Sequence, residues 1–150
     1  MKKLALISAF TLTSCIAATS FNANASNYAH VHLSHLEPSK EESIWLRAIQ
    51  ATPMYPRQLA QRGIIGCAVF NVKIDEAGET ESISLESSVP ERGIERPVAA
   101  VIRSWEWENV SGEANMAEEK QIRLDFCMGG SSPEEAEQLC IAQSQWACSS

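Results

Sequence analysis

The chain has 150 residues, 45% of them hydrophobic, with 12 Lys and Arg against 19 Asp and Glu and a formal net charge of −7 at pH 7. That balance argues against nucleic acid and anionic lipid surfaces as partners, since both call for basic patches. The length suits one domain with a modest core and short extensions, and there is neither an internal repeat nor a low-complexity segment.

Residues 1–25 have the layout of a bacterial secretory signal: Lys2 and Lys3, the apolar run Leu4 to Phe10, then the small-residue pattern Ala23, Asn24, Ala25. Two other readings stay open. Leu12, Thr13, Ser14 and Cys15 resemble a lipobox, in which Cys15 would be lipidated. Alternatively, residues 4–21 remain as an uncleaved anchor, although Thr11, Thr13, Ser14 and Thr19 make them marginal for the roughly 20 apolar residues a span needs. Loss of Lys2 and Lys3 leaves 10 basic against 19 acidic residues, a charge of about −9. Four cysteines then remain for the folded part, Cys67, Cys127, Cys140 and Cys148, an even number that in an oxidising compartment predicts two disulfides.

Residues 26–52 read as an N-terminal arm with a short helix. The arm holds His30, His32 and His35 in "HVHLSH", a spacing that could hold copper, zinc or nickel through neutral imidazoles and otherwise reads as solvated chain. Ser39 and Glu42 form a capping-box signature ahead of Ile44, Trp45, Leu46 and Ile49, which predicts an amphipathic helix from Pro38 to Ala51. Pro53 closes it. Tyr55 and Pro56 open a second helix through Arg62, with Gly63 at its C-terminal end.

"GCAVFNVKIDEAG" then alternates Ala68, Phe70, Val72 and Ile74 with Cys67, Val69, Asn71 and Lys73, a strand with the first set in the core. A turn at Ala77 and Gly78 leads to a second strand carrying Ile83 and Leu85, expected at a sheet edge. Pro90 and Gly93 end it. A helix follows, with Pro97 in its first turn and Ile94, Val98, Val101, Ile102 and Trp105 on one face. Past Gly112, Ile122, Leu124, Phe126 and Met128 alternate with Gln121, Arg123, Asp125 and Cys127 as a third strand.

A hairpin followed by a right-handed crossover makes the first strand central and the third an exposed edge, antiparallel to the first. Cys67 and Cys127 then meet at one end of the sheet, both facing outward, with Cβ atoms roughly 4.5–5.5 Å apart if directly opposed. This predicts a Cys67–Cys127 bond and leaves Cys140 with Cys148; the competing patterns tie Cys140 to Cys127 or to Cys67. Ser132, Pro133 and Glu135 start a helix in the tail, 129–150, whose apolar stripe of Ala136, Leu139 and Trp146 could pack near the third strand and limit what docks there.

The stretch "YPRQLAQRGIIGCAVFNVKIDEAGETESISLESSVPERGIERPVAAVIRSWEW" resembles the C-terminal domain of TonB-type energy transducers: a Tyr-Pro opening, a short helix ending near Gly-x-x-Gly, strand, turn glycine, strand, helix and a closing Trp-x-aromatic. The resemblance spans 53–128. It implies a small α+β domain in the periplasm, with a three-stranded antiparallel sheet packed against helices. In this family the third strand pairs with an extended segment, the TonB box, of outer-membrane receptors, by strand addition. Carried onto this chain, that edge is Lys120, Gln121, Ile122, Arg123, Leu124, Asp125 and Phe126, and self-pairing into a homodimer through such an edge is a further expectation. Asn109 stands where the family has a proline soon after the closing aromatic. Between Ala25 and Tyr55 the only prolines are Pro38 and Pro53, so the long proline-rich spacer of a transducer is missing, and those roughly 30 residues reach at most about 100 Å.

The residues carry no catalytic constellation and call for no cofactor, so an enzyme is not expected. Every histidine lies in the arm, Glu106 with Glu108 and Glu118 with Glu119 read as solvated surface, and there is no phosphate-binding glycine loop. Two functions are therefore expected: a periplasmic TonB-like interaction module binding partner strands, or a metal-handling protein using the three histidines. The location is the periplasm, free, lipid-anchored to the outer membrane, or anchored in the inner membrane.

Overall fold

Alternation of apolar side chains dictates the main sheet of the protein, whose computed structural model describes residues 28–149. The elements run β1 (Tyr28–Glu37), β2 (Trp45–Arg47), α1 (Arg57–Gln61), β3 (Gly66–Ile74), β4 (Thr80–Val89), α2 (Glu95–Arg103), β5 (Trp107–Asn109), β6 (Glu118–Gly129) and α3 (Pro133–Ser144). β1, β6, β3 and β4 lie in that order in a four-stranded sheet whose neighbours are all antiparallel, while β2 and β5 form a two-stranded ribbon. The signal at 1–25 and Cys15 lie outside the described residues.

Phe70, Val72 and Ile74 of β3 face the same side as Ile122, Leu124 and Phe126 of β6, and all six are sealed from solvent with Leu59 of α1 and Val98 and Ile102 of α2. Fully burying side chains of this size contributes about 1.5–3 kcal/mol each, so this layer is the main source of stability. Tyr55 packs edge-on to Phe126, with ring centroids 5.5 Å apart, and donates its hydroxyl to the Ile64 carbonyl at 2.6 Å. Burial pushes its phenol up to about 12. α1 ends as expected at Gly63, whose positive φ of 60° lets the Gly63 and Ile64 amides bond back to the Ala60 and Leu59 carbonyls. The β3–β4 turn needs Gly78 twice over: φ is +81°, and a Cβ there would lie 2.9 Å from the Trp45 ring.

The expected α+β class, the central place of the first predicted strand (β3), the edge place of the second (β4) and the crossover helix (α2) all stand. Three expectations fail. The helix over 38–51 is absent. Half of its capping box forms, since the Ser39 amide and hydroxyl both donate to the Glu42 carboxylate at 3.3 and 2.8 Å while the Glu42 amide bonds the Ser39 carbonyl rather than its hydroxyl, and the chain leaves after one turn. Tertiary contacts capture it: Lys120 Nζ donates to Ser43 Oγ at 2.6 Å, and Glu118 accepts the Ile44 and Trp45 amides at 2.8 and 3.1 Å, which draws out 45–47 as β2.

Secondly, the histidine arm is not irregular but forms β1, in register with β6 from Tyr28 opposite Gly129 to His35 opposite Ile122. Its period-2 pattern, Val31 and Leu33 against His30, His32 and Ser34, is the signal that could have revealed it. Thirdly, and as a result, Lys120, Gln121, Ile122, Arg123, Leu124, Asp125 and Phe126 are not an exposed edge. β1 lies on one side of them and β3 on the other, so their backbone groups are already paired.

Candidate partner-binding edge

Because strands β1 and β6 are antiparallel, directly opposed residues share a face, and the register sorts the three histidines. His30 and His32 stand opposite Cys127 and Asp125, on the side that α3 covers, whereas His35 stands opposite Ile122 on the core side. The pleat therefore splits the predicted cluster across two faces. Among the described residues no group of three or more His, Cys, Asp or Glu is arranged to hold a metal.

The α3 side of the sheet is held by charge and covalent bonds. Arg123 clamps Asp125 with two parallel hydrogen bonds of 2.8 Å, and its remaining donors reach the Trp146 and Gln143 carbonyls at 2.6 and 3.2 Å, where they satisfy the C-terminal end of α3. Gln143 in turn donates to the Gly66 carbonyl at 2.8 Å. Ser132 caps the helix as expected by accepting from the Glu135 amide at 3.2 Å. Of the expected stripe only Ala136 is buried; Leu139 is 49% and Trp146 71% exposed.

All four expected cysteines are in disulfides, but the pairs are Cys67–Cys148 and Cys127–Cys140, with Cα atoms 5.8 and 5.4 Å apart. The expected Cys67–Cys127 bond does not form because Asp125, not Cys127, stands opposite Cys67, which makes the two cysteines diagonal neighbours. α3 lies over this face and brings a nearer thiol to each.

The other side of β1 meets a basic environment. The Lys120 ammonium is enclosed between Glu118, at 2.9 Å, and Ser43, and desolvation pulls its pKa down. Arg47 stacks over the Trp105 ring at 4.7 Å and donates to the Ile49 and Ala51 carbonyls, leaving its Nη1 buried and unpartnered. His35 Nδ1 is likewise buried without a partner. Its pKa is lowered first by burial and then by Lys120, Lys40 and Arg47, against Glu118. A groove of about 210 Å³ runs beside this strand, lined by His30 to Leu33, His35, Lys40 and Arg47. Its one acidic lining group is Glu137 of α3.

In place of the predicted edge at β6, the sheet ends at β1 on one side and β4 on the other. The β4 ladder is broken by two register shifts, between Val69 and Phe70 and between Lys73 and Ile74, and α2 packs against that strand. β1 has a single shift, between His35 and Glu37, so Tyr28 to His35 is the longer regular edge.

Among the described residues no helix is long and apolar enough to cross a membrane. A search of curated proteins finds no match to the chain. The sequence profile described as the Gram-negative bacterial TonB protein C-terminal matches residues 51–127, half of the chain, which runs from the approach to α1 through β6 and leaves β1, β2 and α3 outside. Domains of that family are periplasmic and serve interaction and energy transduction in outer-membrane transport. With the α1–β3–β4–α2–β6 order and the central β3 on the same residues, the chain belongs to the TonB C-terminal family.

Proposed function

We propose that the protein is a periplasmic interaction module that takes an extended segment of an outer-membrane transport partner as an added strand on the β1 edge, Tyr28–Glu37. The observation that carries this reading is the strand order: β1 occupies the position beside β6 and becomes the new end of the sheet. Strand addition needs a row of free backbone groups and adjoining pockets for alternate side chains, and β1 has both an open side and a groove. Docking on β1 leaves the sheet intact. Docking on β6 would first have to strip β1 from a ladder that α3 covers and expose Val31, which is 2% accessible.

Hydrogen exchange on the exported chain, with and without periplasm-facing receptor peptides, tests the reading. Addition on β1 slows exchange at Tyr28 to His35. Faster exchange there on binding would show that the peptide replaces β1 and takes Lys120 to Phe126 instead, which overturns the proposed edge. No change at either strand would remove strand addition altogether.

A further inference from the structure

An edge strand binds any extended chain through its backbone, so selectivity must come from what lies beside it. Beside β1 the lining is unlike the rest of this acidic protein: Lys40, Arg47 and His35 line one groove, and two buried nitrogens there, Arg47 Nη1 and His35 Nδ1, have no partner among the described residues. Arg47 is only 8% exposed, so water does not readily satisfy its free donor, and a buried donor left unmade costs roughly 1–3 kcal/mol. Gln50 and Thr52 add polar side chains to the same lining.

We propose that the groove is a binding site for a carboxylate carried on an extended peptide, seated among His35, Lys40 and Arg47 while the peptide backbone runs along β1. The occupant is a peptide because the groove follows β1 from His30 to His35, roughly 16 Å of strand, whereas a small anion would fill only its basic end. Charge complementarity selects an acidic side chain: Arg47 Nη1 and the Lys40 ammonium are donors only, and the His35 imidazole joins them on protonation, all suited to an acceptor-only group. The groups facing His35 are Lys120 and Glu118 of β6, Lys40 in the loop after β1, and Arg47 of β2. Burial and the three cations disfavour the charged imidazole, and an incoming carboxylate offsets them, so binding favours proton uptake.

This inference rests on strand addition at β1, and the test separates the two. Ten-residue peptides of alternating Thr and Val, carrying a single Glu at each position in turn or the matching Gln, are titrated calorimetrically against the exported chain at pH 6 and pH 8. The expected result is a position at which Glu binds about tenfold more tightly than Gln, as charge-assisted hydrogen bonds in a partly desolvated site should give. The preference should be larger at pH 6, fall to under threefold in Lys40→Gln and in His35→Gln, and the proton uptake should vanish in His35→Gln. Lys40 is exposed, so Lys40→Gln should fold as the parent does. Equal binding of Glu and Gln peptides at every position overturns the carboxylate site while leaving strand addition standing. A preference that survives in both variants overturns it too, as does acetate or inorganic phosphate binding as tightly as the Glu peptide. If neither peptide series binds, strand addition on β1 fails, and the carboxylate site fails with it.

Discussion

On the α1 and α2 side of β6, Ile122, Leu124 and Phe126 are buried by other apolar side chains; on the α3 side, Arg123, Asp125 and Cys127 are nearly as buried but are held by an ion pair, a carbonyl cap and a disulfide. The first face would assemble in any solvent that rewards burial. The second depends on oxidation, since α3 buries only Ala136 and Cys140 of its own length. The difference largely follows the family boundary: most of the apolar face lies within 51–127, with Val31 and Trp45 added from outside it, whereas α3 lies beyond it and is fastened on by specific links.

Breaking the apolar face should have the largest effect. Phe70→Ala removes a ring with no solvent exposure, and the transfer and cavity terms together should cost about 3–5 kcal/mol, read as a lower urea midpoint. A cost below about 1 kcal/mol would mean that this layer is not the main source of stability. Next comes the covalent face: replacing Cys127 and Cys140 together by alanine opens a bond spanning 13 residues, worth about 3 kcal/mol on the chain-entropy account. Exchange should rise in α3 more than in β3, and uniform loosening would contradict the division between the faces.

The smallest effect belongs to His35, half-buried next to β6 on the core side with its Nδ1 enclosed. Its folded pKa lies below its ordinary value of 6.5, so the unfolded chain takes up a proton first. Stability from this group is complete above about pH 6.5 and is lost as pH falls through the folded pKa. His35→Gln should therefore flatten the acid limb of the stability curve relative to the parent, and an unchanged slope would show that His35 stays neutral or solvated.

The same two faces explain what was legible in the sequence. Ala68 to Ile74 and Ile122 to Phe126 repeat every second residue because one side meets a continuous core, so β3, β6 and α2 could be placed from periodicity. β1 was missed because its polar positions are histidines, which suggest metal before they suggest a strand covered by α3. The helix over 38–51 follows from its capping-box signature, and the Glu42 half of the box forms; what overrides it is Lys120 and Glu118, more than 70 residues away and invisible to local pattern. The cysteine pairing failed by the distance between opposite and diagonal neighbours, which depends on register and on where α3 lies. The basic groove is the least readable, since Lys40 and Arg47 lie in what looked like a helix.

Cys67–Cys148 closes a covalent loop that holds everything from β3 to the end of α3, and β1 lies outside it. Under mechanical load the two parts would respond differently. Tension applied at Tyr28, the first residue of β1, bears on the β1–β6 ladder and on the contacts of β1 with α3: along the strand it shears all the pairs at once, and across the strand it unzips them singly from Tyr28 opposite Gly129. A partner pulling on β1 thus meets a rupture point set by direction, behind which the looped remainder stays tied.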